Sequence, residues 1–156
     1  MRNFFFLALF AVLLCMPGCA SVPLATPEMS SSAKEFAPPS ANMAGLYIYR
    51  SSFGGQALKK DIWVNGECVG QSANDVFFYR EVPGDTEHTI ATESEFSANE
   101  LKVMVQSGMN YFIRQYIKMG FFVGGAGLEV IDPETAKEII AKLDMAVGGD
   151  CTSPIP

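Results

Sequence analysis

Cys19 is the residue whose neighbours most clearly indicate a chemistry. It follows an almost unbroken apolar stretch, residues 4–16, which is preceded by the single cation Arg2. This layout is typical of a secretory signal peptide, and the stretch is too short to cross a membrane, which takes about 20 apolar residues. The small residue Gly18 lets a peptidase approach the bond before Cys19, whose thiol can carry a thioether-linked diacylglycerol. We therefore predict that residues 1–18 are removed and that Cys19 is lipidated.

Two alternatives to this interpretation of Cys19 stay open. Cys15 is a poor substitute, because it lies inside the apolar stretch and has no small residue before it. An ordinary secreted protein, cleaved near Ala20 or Ala25, would lose Cys19 or keep it as a thiol. The alternatives differ physically, because two acyl chains anchor a protein stably and one chain barely does. If Cys19 is lipidated, the following Ala20, which is not Asp, implies delivery to the outer membrane by resemblance to enterobacterial lipoproteins.

The charge of the exported chain argues against several kinds of partner. Removal of Arg2 reduces the 11 Lys and Arg residues to ten, against 17 Asp and Glu residues, so the net charge is near −7. Nucleic acids and anionic lipids are bound through clustered Lys and Arg. We therefore expect no nucleic-acid partner, and we expect membrane attachment to be covalent and not electrostatic.

The amino-acid composition of the chain after Cys19 changes near residue 45. Residues 19–44 interleave Pro and Ser without an apolar period, which predicts a flexible tether. Fully extended, such a tether would reach about 90 Å, and as a coil it would average about 30 Å. The folded domain is expected over residues 45–147, and residues 148–156 are expected to be a flexible tail.

Short β-prone runs separated by turn residues predict a small all-β domain. Asn65-Gly66 is the strongest local signal, because this dipeptide supplies the positive φ angles of a type I′ turn between two strands. The runs that we assign to strands are residues 46–50, 61–64, 67–70, 77–82, 88–93, 101–106, 111–118 and 127–131.

The expected fold is a small antiparallel β-sandwich of about seven strands with a C-terminal α-helix. About 100 residues suffice for one core of this kind. The helix is predicted to begin at Asp132-Pro133 and to run to about Met145, because Pro and an acid are favoured in a first turn. Its apolar stripe is expected to cover one end or one face of the sheet.

Three segments in the middle of the chain form one pattern, residues 45–50, 62–70 and 79–90. Within them the Asn65-Gly66 turn is followed by Pro83-Gly84 and then by a strand that begins His88-Thr89. This pattern resembles the DUF2846 family of bacterial lipoproteins and, more widely, PEGA-type β-sandwiches. Residues 84–88 are slightly longer than the compact form of this motif. The resemblance covers roughly residues 45–145 and implies a fold, since no activity is assigned to that family.

His88 and the acidic residues are the side chains that could take part in catalysis or bind a metal ion. His88 is the only histidine, so no site with two histidine ligands can form within one chain. Catalysis would need a nucleophile and an orienting acid, for which Ser51, Ser52 and Glu93 are available. We expect instead that His88 lies at a strand end and bonds to a turn. The remaining acids match no calcium-loop spacing and are expected on a solvated face: Asp85, Glu87, Glu95 and Glu100. We therefore predict no catalytic residue, no metal ligand and no cofactor.

Residues 120–127 are rich in glycine but do not match a phosphate-binding motif, because no Lys-Ser or Lys-Thr follows them. Two interpretations stay open. In one, this segment is a loop in which Phe121 and Phe122 cap the core. In the other, Phe121, Phe122 and Val123 form an exposed apolar tip that contacts a membrane or a partner protein.

Cys68 and Cys151 remain after lipidation of Cys19, and the periplasm is oxidising. A disulfide between them would tie the C-terminal tail to the hairpin, provided that their Cα atoms lie within about 7 Å. The alternative is a buried Cys68 thiol and a free cysteine in the tail.

These patterns predict a small envelope lipoprotein that acts as a binding or structural module. Two further hypotheses remain. A periplasmic hydrolase would need a pocket with convergent polar groups. An adaptor subunit of an envelope complex would pair an exposed edge strand with a partner sheet, and residues 46–50 are the strand proposed for that pairing.

Overall fold

Nine strands and two helices form the part of the chain that the structure describes, residues 20–94, 98–119 and 124–153 of a computed structural model. The helices are α1 (Pro27–Ala33) and α2 (Pro133–Ile140). The strands are β1 (Met43–Arg50), β2 (Lys60–Val64), β3 (Glu67–Ser72), β4 (Val76–Pro83), β5 (Thr86–Thr92), β6 (Asn99–Val105), β7 (Asn110–Lys118), β8 (Gly125–Ile131) and β9 (Asp144–Met145). Within these ranges no helix is long and apolar enough to cross a membrane.

The strands form two sheets that face each other. The five-stranded sheet has the order β8-β7-β1-β4-β9, and the four-stranded sheet has the order β3-β2-β5-β6. The predicted mainly β fold with a C-terminal helix is confirmed. The strands are not all antiparallel as predicted, because β1 pairs with β7 and β4 pairs with β9 in parallel.

The hairpin predicted from Asn65-Gly66 joins β2 to β3. Both turn residues have positive φ, 53° at Asn65 and 78° at Gly66, as a type I′ turn requires. The strands pair in antiparallel register from Lys60 opposite Ser72 to Val64 opposite Glu67. A turn of two residues therefore sets the register of half of the four-stranded sheet.

The two faces of the five-stranded sheet are buried against different partners. The inner face carries aliphatic side chains such as Leu46 and Ile48, which pack against Ile62 and Ile90 of the other sheet. Each such side chain contributes about 1.5–3 kcal/mol when it is fully buried. The outer face carries aromatic side chains, and α2 covers it through Ile140.

Helix α2 is shorter than predicted. Its Asp132 cap accepts a hydrogen bond from the backbone N–H of Thr135 at 3.0 Å, so its start agrees with the sequence pattern. The helix ends at Ile140 and not at Met145, because Asp144 and Met145 pair with β4 as strand β9. Main-chain pairing with the edge of β4 therefore takes the place of a further helical turn in residues 144–145.

Residues 20–44 differ from the predicted flexible tether. The side chain of Thr26 caps α1, which begins at Pro27, and Leu24 forms a β-bridge with Ala146. The ring of Phe36 lies 5.3 Å from that of Tyr47, so the segment is held on the aromatic outer face. A few apolar residues and one cap are enough to dock a Pro- and Ser-rich chain onto an existing sheet, so the prediction of a flexible tether is wrong for these residues.

The predicted flexible tail is also held in place as far as residue 153. The backbone N–H of Gly149 donates to the carbonyl of Val69 at 3.2 Å, and the N–H groups of Thr152 and Ser153 donate to the Asp61 carboxylate at 2.8 and 2.7 Å. We name residues 146–153 the C-terminal strap. It closes the side of the sandwich between β3 and β4.

Strand β1 is not available for pairing with a partner. It lies between β4 and β7 at the centre of its sheet, and Leu46 and Ile48 are fully buried. The hypothesis that residues 46–50 form an exposed edge is therefore wrong. Periodicity identified the strand but carried no information on its position in the sheet.

The two ends of the sandwich have different connections. One end, which we name the turn end, carries the short connections at Asn65-Gly66, Gly84-Asp85 and Ser107-Gly108. The other end, which we name the loop end, carries the loop of residues 51–59 and the adjoining ends of β7 and β8, Lys118 and Gly125.

Candidate functional site

The predicted lipidation site and the predicted apolar tip lie outside the described residues. This concerns Gly18 and Cys19 at the start of the chain and Phe121, Phe122 and Val123. Their chemistry therefore stays a prediction. The nearest described neighbour of Cys19 is Ala20, whose backbone N–H donates to the carbonyl of Gln56 at 3.2 Å. The chain therefore leaves the predicted anchor at the loop end.

Cys68 and Cys151 are joined by a disulfide in the structure. Their Cα atoms lie 5.9 Å apart, within the distance that such a bond spans. The bond attaches the C-terminal strap to β3. Because the sequence separation is 83 residues, the bond closes a large loop of the chain.

His88 lies at the turn end and is nearly inaccessible to solvent, with 3% of its surface exposed. Its Nε2 lies 2.8 Å from the carbonyl oxygen of Pro83, which can only accept, so Nε2 carries the proton. Its Nδ1 then accepts from the side-chain amide of Asn65 at 2.7 Å. Both nitrogens are therefore engaged in holding two turns together.

The residues considered as catalytic partners of His88 lie at the opposite end of the sandwich. The side chain of Ser51 bonds to Asp75, and that of Ser52 bonds to Asn74, both beside the start of β4. His88 contacts Pro83 at the end of β4. Eight residues of strand separate these places, which is about 25 Å at 3.3 Å per residue. No proton can pass directly between these groups.

The acidic residues are dispersed among separate partners. Asp85 accepts from the hydroxyl of Ser107 at 2.6 Å, Glu87 lies 4.0 Å from Lys102, and Glu93 lies 3.3 Å from Lys60. Glu95 lies outside the described residues. Within the described ranges, no group of three or more His, Cys, Asp or Glu side chains is arranged to hold a metal ion.

A buried polar cluster at the loop end serves the fold. Gln115 donates to the hydroxyl of Thr92 at 2.7 Å, and Thr92 donates to the carbonyl of Asp61 at 2.9 Å. Ser72 bonds to the same Gln115 side chain. All four side chains are inaccessible to solvent, so a substrate cannot reach them. The cluster ties the two sheets, and the Thr92 hydroxyl holds the main chain of Asp61, whose carboxylate receives the C-terminal strap.

Concave surface is found beside α1. Three adjoining depressions of about 260, 310 and 390 Å³ share the side chain of Met145 in their walls. The two larger depressions also share Met29 of α1 and Tyr79 of β4. We name this surface the α1 groove. Its walls are mainly apolar, and methionine side chains adapt their shape to different apolar occupants.

The edge of β4 is open along the α1 groove. Strand β9 pairs with β4 only at Val76 and Phe77, where the carbonyl of Phe77 accepts from Ala146 at 2.8 Å. Backbone groups of alternate residues in a strand point to the same side. The N–H and C=O groups of Tyr79 and Glu81 therefore point away from β1 toward the groove.

Two tyrosines and one carboxylate set the electrostatics of the groove. Burial raises the pKa of Tyr47 to about 12, and burial followed by the adjacent Glu81 raises the pKa of Tyr79. Hydrogen bonds from Ser40 hold the pKa of Glu81 below its usual range. At neutral pH both phenols are neutral and Glu81 is ionised. The groove thus offers an apolar floor, main-chain hydrogen bonds and a negative charge, and its contacts provide no activated nucleophile.

The α1 groove is not predicted from the sequence, because Met29 lies in the predicted tether and Met145 in the predicted helix. One local signal was present. Thr26 followed by Pro27 and Glu28 is the pattern of a helix N-terminus, with a capping side chain, Pro in the first turn and an acid beside it. The groove itself depends on where α1 docks, which no local pattern encodes.

Comparison with known proteins identifies relatives without an assigned activity. A family model described as a protein of unknown function (DUF2846) matches residues 40–126, more than half of the chain. An uncharacterized protein from Haemophilus influenzae (strain ATCC 51907 / DSM 11121 / KW20 / Rd) is 51% identical over 140 residues, which covers 90% of this chain and 83% of the relative. No solved structure matches the chain.

Proposed function

Since the chain belongs to the DUF2846 family of proteins of unknown function, we propose its function from its own residues. It is a lipid-anchored protein of the bacterial cell envelope, held through acylated Cys19 at the outer membrane and facing the periplasm. Its β-sandwich is a binding module that takes up an extended segment of a partner protein in the α1 groove.

The support for the anchor is the order of residues at the start of the chain. A cation and an apolar stretch precede Gly18-Cys19, and this is the layout of a signal peptide that ends at an acylated cysteine. Acyl chains supply the membrane affinity that an exported chain with net charge near −7 cannot obtain from basic residues.

The observation that carries the binding role is the open edge of β4 beside an apolar groove. An extended peptide can add a strand to such an edge, so that main-chain hydrogen bonds provide affinity and side-chain pockets provide specificity. Tyr79 and Glu81 supply the main-chain groups, and Met29 and Met145 supply the apolar wall. An isolated small ligand would leave these strand groups unpaired.

The enzyme alternative finds no support among the described contacts. A general base must lie within hydrogen-bond reach of the proton that it removes. Both ring nitrogens of His88 are engaged, and Ser51 and Ser52 lie about 25 Å away by strand length. We therefore favour the binding module over the hydrolase.

Membrane fractionation of Cys19→Ala tests the anchor. Wild-type protein is expected in the outer-membrane fraction, whereas Cys19→Ala is expected to keep its signal peptide or to be released as an unacylated chain. The Cys15→Ala variant is the matched control and should fractionate like wild type. A Cys19→Ala chain that is processed normally and stays with the outer membrane would contradict the anchor.

Site-specific photocrosslinking in intact cells tests the groove. A photoreactive amino acid replaces Met29 in the groove or, as the control, Met104 on β6, since both side chains are more than half exposed. An adduct is expected only from position 29. Glu81→Pro removes the outward N–H and the carboxylate and should abolish the adduct, while Glu81→Ala removes only the carboxylate and should retain it. An absent adduct at position 29, equal adducts at both positions or an adduct that survives Glu81→Pro would contradict the proposal.

A further inference from the structure

We propose that the loop end of the sandwich rests on the bilayer surface, with Phe53 and Met119 inserted among the lipids beside the acyl chains of Cys19. This inference rests on the acylation of Cys19 proposed above. It adds an interaction surface and a fixed orientation, which an anchored domain on a long tether would not have.

The first support is the place where the described chain begins. The N–H of Ala20 bonds to Gln56 in the loop of residues 51–59, and Val22 packs against the core. Ala20 therefore lies beside this loop, and consecutive Cα atoms of a chain are only about 3.8 Å apart. Acyl chains carried by the residue directly before Ala20 would enter the bilayer next to the loop end. Residues 20–44, which were predicted to be a flexible tether, contact the domain. They therefore do not separate the domain from the membrane.

The second support is the pair of apolar side chains at the same end. Phe53 and Met119 are both fully exposed to solvent. The loop that carries Phe53 lies against β7, because a Cβ atom on Gly55 would be 2.7 Å from Ile117, two residues before Met119. The guanidinium of Arg50 donates to the carbonyl of Leu58 at 2.7 Å and also bonds to Gly55, which holds the loop in this position.

A single exposed apolar side chain needs no explanation. Two fully exposed apolar side chains at the same end as the predicted attachment point of the chain do need an explanation. At the turn end, Met109 is about half exposed, but its neighbours there are polar, and no attachment point is near it. Aromatic rings and flexible apolar chains are the side chains that lie at the boundary between headgroups and acyl chains.

Electrostatics do not account for this contact. Exposed Lys59 and Lys118 lie at the loop end, but so do exposed Asp75 and Asp144. With both signs present, attraction to anionic headgroups is weak, and the insertion depends on apolar side chains. The contact should therefore persist at high salt, at which screening shortens electrostatic forces to a few ångströms.

The orientation places the turn end in the aqueous space. Strand β4 runs from the loop end to the turn end over eight residues, which is about 25 Å at 3.3 Å per residue. Met109 should thus lie about 25 Å from the headgroups if the strands stand upright on the bilayer. The two exposed methionines, Met119 and Met109, form a matched pair of positions for measurement.

The test uses the full-length protein, acylated in cells and reconstituted into vesicles of phosphatidylethanolamine and phosphatidylglycerol that carry nitroxide groups on their acyl chains. A fluorescent amino acid is encoded at position 53 or 119 and, as controls, at position 104 or 109. Encoding the probe leaves the Cys68–Cys151 disulfide intact. Nitroxide quenching should be about fivefold stronger at positions 53 and 119 than at 104 and 109, since strand length separates the two ends by about 25 Å.

Equal quenching at the four positions, or stronger quenching at 104 or 109, would overturn the inference while leaving the anchor in place. Failure of the anchor is seen separately, because an unacylated protein would not float with the vesicles at all. Raising the salt concentration distinguishes the modes of contact. Quenching at 53 and 119 is expected to persist, and its loss would mean that the surface is held by charge.

Discussion

At the turn end, polar side chains bond the connections to one another, whereas at the loop end two large apolar side chains stand in solvent. Asn65 and His88 link the β2–β3 turn to Pro83, and Asp85 bonds to Ser107. At the loop end, Phe53 and Met119 are fully exposed. The polar side chains of the turn end thus bond to one another, and the exposed apolar side chains of the loop end form the surface that we propose to contact the bilayer.

This contrast separates the contacts that serve the fold from the side chains that are available for function. Bonds at the turn end determine how strands connect, so changes there should lower stability. Exposed apolar side chains at the loop end contribute little to folding, so changes there should affect attachment to the membrane instead. Four predictions examine this division.

The largest effect is expected from removal of the disulfide in the variant with Cys68→Ala and Cys151→Ala. The free energy of unfolding should fall by about 2–4 kcal/mol, because the bond closes a large loop and restricts the unfolded chain. Chemical denaturation measures this change. Hydrogen exchange should increase at the C-terminal strap and stay unchanged at the turn end. An unchanged midpoint of unfolding would mean that the strap is held by its other contacts.

The next effect contrasts one glycine from each end. A Cβ atom on Gly84 would lie 2.6 Å from the Cα and 2.7 Å from the N of Ser107, whereas Gly54 has nothing within 4 Å. Gly84→Ala should therefore lower the free energy of unfolding by about 1–3 kcal/mol, since backbone must move. Gly54→Ala is the control and should stay within about 0.5 kcal/mol of wild type. A similar fall in the free energy of unfolding in both variants would contradict the proposed difference between the two ends.

A smaller effect is expected when Phe53 and Met119 are both changed to Ser. Because both side chains are fully exposed, the free energy of unfolding in solution should change by less than about 0.5 kcal/mol. Thermal unfolding of the Cys19→Ala chain, purified without its signal peptide, measures this change. The corresponding change of Met109 to Ser is the control. A loss of more than 1 kcal/mol would show that the loop end has a structural role, with Phe53 or Met119 packed in solution.

The smallest effect concerns the ionisation of Asp85 at the turn end. Hydrogen bonds from the hydroxyl and then the backbone N–H of Ser107 hold its pKa below the usual value. A lowered pKa in the folded state means that the ionised form stabilises the fold above about pH 4 and that this contribution is lost as pH falls through the lowered pKa.

Carboxyl NMR titration of Ser107→Ala should show the pKa of Asp85 moving up toward its usual value. Asp132 is the internal control, because its pKa is lowered by the backbone and side chain of Thr135 and should not change. If the pKa of Asp85 stays where it is in wild type, the hydroxyl of Ser107 does not contribute to the bonding of the turn end.

Features set by neighbouring residues were predictable. The Asn65-Gly66 turn and the alternation in the strands depend on local backbone geometry, and all eight runs assigned to strands correspond to strands β1 to β8. Sequence also indicated that His88 would bond to a turn, as its contact with Pro83 shows.

Features set by long-range docking were not predictable. The parallel pairing of β1 with β7 and the short strand β9 depend on partners far away in the chain. The docking of α1 depends on the Tyr47 hydroxyl, which donates to the carbonyl of Ala33 at 2.8 Å. A Pro- and Ser-rich segment has no periodicity that reveals such an acceptor, so the α1 groove could not be inferred before the structure.

Mass spectrometry of the N-terminal peptide of the mature protein distinguishes a lipid-anchored chain from an ordinary secreted one. The mature chain is expected to begin at Cys19, followed by Ala20, and Cys19 is expected to carry a thioether-linked diacylglycerol. A mature chain that begins at Ala20 or Ala25, or an unmodified Cys19 in protein recovered from the cell envelope, would contradict the lipid anchor.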